Sequence, residues 1–115
     1  VRIIKFFLHV SKDEQKKRFL KRIDQPEKNW KFSMGDVRER ALWDEYMKCY
    51  TEAIAATSTK DAPWYIIPAD TKWFTRLAVS EIIVKTLEKL DPQYPKMSDE
   101  QRAGLAEAKK ALENE

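Results

Sequence analysis

The sequence has 115 residues, 43% hydrophobic and 36% charged, which is apolar enough for one packed domain and argues against a wholly disordered chain. The net charge of +3 speaks neither for nor against a polyanionic partner, and a single cysteine, Cys49, excludes an internal disulfide and fits a reducing, cytoplasmic setting. Two glycines, Gly35 and Gly104, leave no glycine-rich turn, and no apolar run is long enough to span a bilayer.

The chain starts at Val1 and enters an apolar run at once, so its start reads as a cut. Residues Val1 to Val10 (VRIIKFFLHV) lack helical spacing and suit a strand buried on both faces of a parallel sheet. Ser11-Lys12-Asp13-Glu14 reads as a capping box that starts a helix running to about Ile23, with Phe19, Leu20 and Ile23 inward. Pro26 stops its continuation, and Asp24 to Phe32 reads as a polar loop carrying Trp30 and Phe32.

Ser33-Met34-Gly35-Asp36 looks like a second N-cap. One long helix is expected from there to about Thr57, with an inner stripe of Trp43, Tyr46 or Met47, Tyr50, Ile54 and Thr57. Pro63 and Pro68 bracket Trp64 to Ile67, a second short buried strand. Asp70 reads as the cap of a helix from about Thr71 to Leu90, ended by Asp91-Pro92. Ser98 caps a last helix, about 98–113, whose thin stripe of Leu105, Ala108 and Leu112 suits a surface tail.

This order gives an α/β fold: two parallel strands with four main helices, rich in helix, forming one partial domain over 1–115. Two strands make a poor sheet with open edges, so further strands or a second copy of the chain are expected beside them.

Positive charge is concentrated in one segment. Lys12, Lys16, Lys17, Arg18, Lys21, Arg22, Lys28 and Lys31 face only Asp13, Glu14, Asp24 and Glu27. That segment holds more than the whole chain's excess. Arg18 and Arg22 lie four apart on one helix face, and Lys28 and Lys31 flank Trp30 in the following loop. One reading is a basic arm that closes over phosphates, since arginine offers forked hydrogen bonds and lysine a point charge. The other is a solvated helix face with an ordinary Glu14–Arg18 pair.

Other positions carry a similar choice. His9 ends the first strand, where α/β sites gather, or is a structural histidine. Asp70 and Lys72 follow the second strand at the same end and could approach a nucleotide, while Asp70 is equally a helix cap. Trp30 could stack on a base, whereas Cys49 reads as packing.

The segments KFFLHVS, KDEQKKRFLKRI, PEKNWKFS, ERALWDEY, TST and APWYIIPAD, with KWF and RLAV after it and DPQYP near the end, occur here in order. Together they resemble the C-terminal part of the polyphosphate kinase 2 family, over essentially the whole chain. The resemblance implies the C-terminal half of a P-loop kinase-like fold, with a lid at about 12–33. It also implies phosphoryl transfer between inorganic polyphosphate and a nucleotide (ADP/GDP or AMP class) with Mg²⁺. It makes Arg18, Arg22, Lys28 and Lys31 candidate lid contacts to phosphate, beside the nucleotide-side candidates Asp70 and Lys72 read from their position after the second strand.

The departure is that the family's Walker A loop and Mg²⁺-holding acids precede the strand with which this sequence opens, and nothing here reads GxxxxGK[ST]. The expectation is a chain inactive alone, with no catalytic residue and no metal ligand of its own. It is expected to be cytoplasmic, homo-oligomeric, and without a membrane or nucleic-acid partner. The alternatives are a polyanion-binding module without chemistry and an oligomerisation element.

Overall fold

The computed structural model describes residues 1–114. It divides into two compact units, Val1–Ile83 and Val84–Glu115. The first contains strand β1 (Lys5–His9), helix α1 (Lys12–Asp24), a 3₁₀ helix (Pro26–Lys31), helices α2 (Met34–Ala41) and α3 (Trp43–Thr57), strand β2 (Trp64–Pro68) and the first turns of α4 (Lys72–Leu90). The second holds the end of α4 and helix α5 (Asp99–Glu113).

Local chemistry accounts for most of the boundaries. At α2 the Ser33 hydroxyl accepts from the Gly35 amide at 3.1 Å, and Asp36 returns an acceptor to the Ser33 amide at 3.0 Å. At α5 Ser98 and Gln101 exchange the same pair of bonds, at 3.2 and 3.0 Å. These reciprocal bonds satisfy amides that a helix start otherwise leaves orphaned. Asp91 ends α4 with a left-handed φ of 42°, a conformation aspartate tolerates better than most residues, and its amide reaches back to the Leu87 carbonyl at 2.9 Å. All of α5 is exposed.

Three expectations of local structure are corrected. The stretch after α1 is not an irregular loop: Pro26 opens a 3₁₀ helix, where its missing amide costs nothing. Asn29 closes the preceding turn, its amide donating to the Arg22 and Ile23 carbonyls, both at 2.8 Å. The long helix is two helices. Leu42 leaves helical geometry (φ −88°, ψ 20°) and its amide turns to the Glu39 carbonyl three residues back, while the Tyr46 hydroxyl bonds Glu39 across the break. Finally, Ser11 makes half a capping box. Its hydroxyl accepts from the Glu14 amide at 3.1 Å, but the Glu14 carboxylate goes to Arg18.

The two strands pair in parallel, in register from Lys5↔Trp64 to His9↔Pro68. The Lys5 amide donates to Pro63 and the Ala69 amide to His9, so residues 63, 65, 67 and 69 face β1 and residues 64, 66 and 68 face away. The outward Trp64 amide donates to the Ser58 hydroxyl at 3.1 Å, and Pro68 has no amide to offer. One sheet face carries Lys5, Phe7, Trp64 and Ile66. Against it α3 lays Tyr50, whose ring centroid is 4.6 Å from that of Phe7. Of the α3 stripe read from the sequence, Met47, Tyr50 and Ile54 line a cleft of about 390 Å³ beside Phe7 and Ile66.

The core is small: Ile67 (5% exposed) and Ala69 (6%) are its buried hydrophobic residues. The strands are therefore not buried on both faces. Leu8 and Ile66 are exposed, as are Trp30, Trp73 and Leu77 elsewhere in the first unit. A run of alternating and continuous apolar residues predicts the strand, but its cover must come from neighbouring elements, and these two strands have few.

Candidate functional site

The carboxyl ends of β1 and β2 lie side by side, and the chain leaves each into a helix. Two contacts fix α1 to this end. The Ser11 amide donates to Asp70 Oδ1 at 2.7 Å, joining the loop after β1 to the loop after β2. Arg18 then reaches across: Nε donates to Glu14 at 2.9 Å, and Nη2 donates to the carbonyls of Ala69 (2.9 Å) and Asp70 (3.2 Å). Hydrogen bonds from Ser11, its amide first, hold the Asp70 carboxyl below the ordinary carboxylate value, with Arg18 and His9 adding to the effect. Asp70 thus does not cap α4, as its sequence position suggests; its carboxylate serves Ser11.

The opening of α4 is tied to the same strand end by a different residue. Thr75 donates its hydroxyl to the Pro68 carbonyl at 2.9 Å. Beside it, Leu8, Val10, Arg18, Ala69, Lys72, Thr75 and Arg76 line a cleft of about 270 Å³. Its lining combines apolar strand-end residues with three cations.

The remaining predicted cations sit differently. Arg22 lies over the Phe19 ring (5.7 Å to the centroid), Lys28 bonds the Gln25 side chain, and Lys31 lies over the Trp30 ring at 4.8 Å. Trp30 is 79% exposed. The contacts of these three cations are thus local, within α1 and the 3₁₀ helix. The structure brings Arg18, Asp70 and Lys72 together at the strand ends and leaves Arg22, Lys28 and Lys31 along the arm.

His9 is exposed, with Phe7 as its ring neighbour at 5.7 Å. Cys49 is exposed on α3 rather than packed. Sequence reading missed Arg76, which lies four residues beyond Lys72 and so on the same face of α4; the spacing from Lys72 was the available signal. It also missed Arg40, whose Nη1 bonds the Lys12 carbonyl at 2.6 Å and the Gln15 side chain at 3.1 Å, tying α2 to the start of α1.

Among the described residues no group of three or more His, Cys, Asp or Glu side chains is placed to hold a metal ion. The described residues thus offer no such cluster to the Mg²⁺ that the resemblance implies. No helix is long and apolar enough to cross a membrane.

Parallel strands with helical crossovers, and a cation-rich arm docked at their carboxyl ends, define a piece of a P-loop kinase-like α/β protein. The family model for polyphosphate kinase 2 (PPK2) matches residues 1–95. An uncharacterised protein of Leptolyngbya boryana, encoded in the chlN 3′ region, is 62% identical over 113 residues, covering 98% of this chain and 83% of that one. The ADP-polyphosphate phosphotransferase of Rhodopseudomonas palustris is 52% identical over 111 residues, covering 96% of this chain and 38% of its own length. The crystal structure of polyphosphate kinase 2 from Arthrobacter aurescens TC1 superposes with a TM-score of 0.79 at 45% identity, covering 92% of this chain and 39% of that one. This chain belongs to the polyphosphate kinase 2 family. It spans under two-fifths of the length of those last two relatives.

Proposed function

We propose that this chain supplies the lid and nucleotide-side half of a polyphosphate:nucleotide phosphotransferase. The observation that carries this is the docking of the cationic arm. Ser11–Asp70 and Arg18–Ala69 tie the first half of α1 to the carboxyl ends of the two parallel strands, where α/β folds bind their ligands, and this supports the reading. In this reading Arg22, Lys28 and Lys31 meet polyphosphate oxygens, and Arg18 and Lys72 border the channel at the strand ends. Phosphoryl transfer is largely positioning and charge neutralisation, and these residues supply the cationic side of it. The nucleotide acceptor and a Mg²⁺ ion would be served by a phosphate-binding loop and acids that this sequence does not contain.

The test is complementation. The chain is mixed with a Walker-bearing segment of a family relative, polyphosphate, ADP and Mg²⁺, and ATP is measured. ATP above that of either piece alone is expected, with none from this chain by itself. ATP formed by this chain alone, or none from the mixture when the two pieces demonstrably associate, overturns the reading. A polyanion-binding module without chemistry shares the same arm and is distinguished by binding without complementation. We also take the protein to be a cytoplasmic homo-oligomer without a nucleic-acid partner. Exposed apolar side chains on β1, β2 and α4 (Leu8, Ile66, Trp73, Leu77) support association with further protein.

A further inference from the structure

We propose that Lys72 and Arg76 form a phosphoryl-anion subsite at the strand ends, with Arg18 as its fixed wall, and that Arg76 is a binding residue in its own right. The inference rests on the proposed function only for the source of the anion; the cleft itself is argued from geometry.

Three observations combine. First, Lys72 and Arg76 stand one helical turn apart on α4 and both line the cleft of about 270 Å³, together with Leu8, Val10 and Ala69. Like charges at this spacing repel on a helix, so an anion between them relieves a standing cost. Second, neither cation takes part in an ion pair among the described residues. The Glu14 carboxylate bonds Arg18, and the Asp70 carboxylate bonds the Ser11 amide. Third, the cations sit on a braced frame. Thr75, between them in sequence, anchors the first turn of α4 to the Pro68 carbonyl, and Arg18 is held by the Ala69 and Asp70 carbonyls. Two exposed cations without an ion pair at a cleft that is also lined by apolar strand-end residues suit a phosphoryl group, and an arginine there offers two parallel donors to its oxygens.

The anion has two possible sources, an inorganic polyphosphate chain or the phosphates of a nucleotide. Calorimetry on the 115-residue chain, without Mg²⁺, would titrate a short polyphosphate and ADP separately at two salt concentrations. Lys72→Gln and Arg76→Gln are each expected to weaken the relevant ligand by roughly 5- to 10-fold and to lower the salt dependence by about one counterion. Arg76→Lys should keep only part of the affinity, since lysine retains the charge but not the two parallel donors. Lys109→Gln, on α5, should change it by less than about two-fold. Loss in the polyphosphate arm alone assigns the subsite to the chain polymer, and loss in the ADP arm alone assigns it to the nucleotide.

Unchanged affinity in both arms for Lys72→Gln and Arg76→Gln overturns the proposal. So does an equal loss with Lys109→Gln, which would mean diffuse charge rather than a site. Far-UV circular dichroism checks that the variants fold. If one does not, the Arg76 and Lys72 side-chain NMR signals of the unaltered chain must move on titration, and static signals overturn the proposal. Because the readout is binding by this chain alone, its failure is separable from a failure of complementation.

Discussion

The strand-end junction and the arm beyond it carry similar charges but are built differently. At the junction, the contacts join residues far apart in sequence: Ser11 to Asp70, and Arg18 to Ala69 and Asp70. Along the 3₁₀ arm, Lys28 bonds Gln25, Lys31 covers Trp30, and Asn29 closes the turn just before it. The junction is therefore a framework element whose loss should be felt in stability, whereas the arm can change its contacts at little cost to the rest. A cation's role follows from where its donors go: Arg18 is a brace as well as a charge, and Lys28 and Lys31 are charges available to a ligand.

Substitutions can sharpen or break this contrast. The largest effect is expected at the core beneath the junction. Ile67→Ala should lower unfolding free energy by about 2–5 kcal/mol, read from urea denaturation. A cost below 1 kcal/mol would mean that the strand pair is not the centre of the fold.

Arg18→Ala should come next, at roughly 1 kcal/mol. Charge-assisted bonds to two carbonyls are lost, discounted because the side chain is 30% exposed. Arg18→Lys should recover little, since one ammonium cannot serve Glu14 and both carbonyls in the guanidinium's geometry.

Asp70→Asn should lower the melting temperature at neutral pH and flatten its acid dependence. The Asp70 carboxyl is held below its ordinary value in the folded chain, so its contribution is complete above that ordinary value. It is lost as pH falls through the depressed folded value. If Asp70→Asn melts with the same acid profile as the unaltered chain, the Ser11 link contributes nothing measurable.

The smallest stability effect is expected in the arm. Lys28→Ala and Lys31→Ala should each move the urea midpoint by less than the equivalent of about 0.5 kcal/mol, while weakening polyphosphate binding in a salt-dependent way. A destabilisation as large as that of Arg18→Ala would erase the distinction between the two regions.

How much of this was legible follows from the range of each interaction. The reciprocal caps at Ser33–Asp36 and Ser98–Gln101 were readable because both partners fall within four residues. The strands were readable from their apolar runs, and their parallel pairing from the helical crossover between them. Asp70 was misread because an aspartate before a helix has a local use that competes with a partner 59 residues away, and only the fold brings Ser11 within reach. Arg18 and Arg22 looked equivalent at four-residue spacing. Their tertiary neighbours, backbone carbonyls for one and the Phe19 ring for the other, separate them. The break at Leu42 has no proline or glycine to announce it, and the Tyr46–Glu39 bond that spans it is set by geometry rather than by composition.

The outer side of β2 has a consequence for how the sheet can grow. Of its three outward positions, Trp64 has its amide taken by Ser58 and Pro68 has none, leaving Ile66 as the single donor on that flank. An incoming strand would find carbonyl acceptors there but a single amide donor. β2 therefore offers an added strand a single outward amide donor, which favours further pairing along β1 instead.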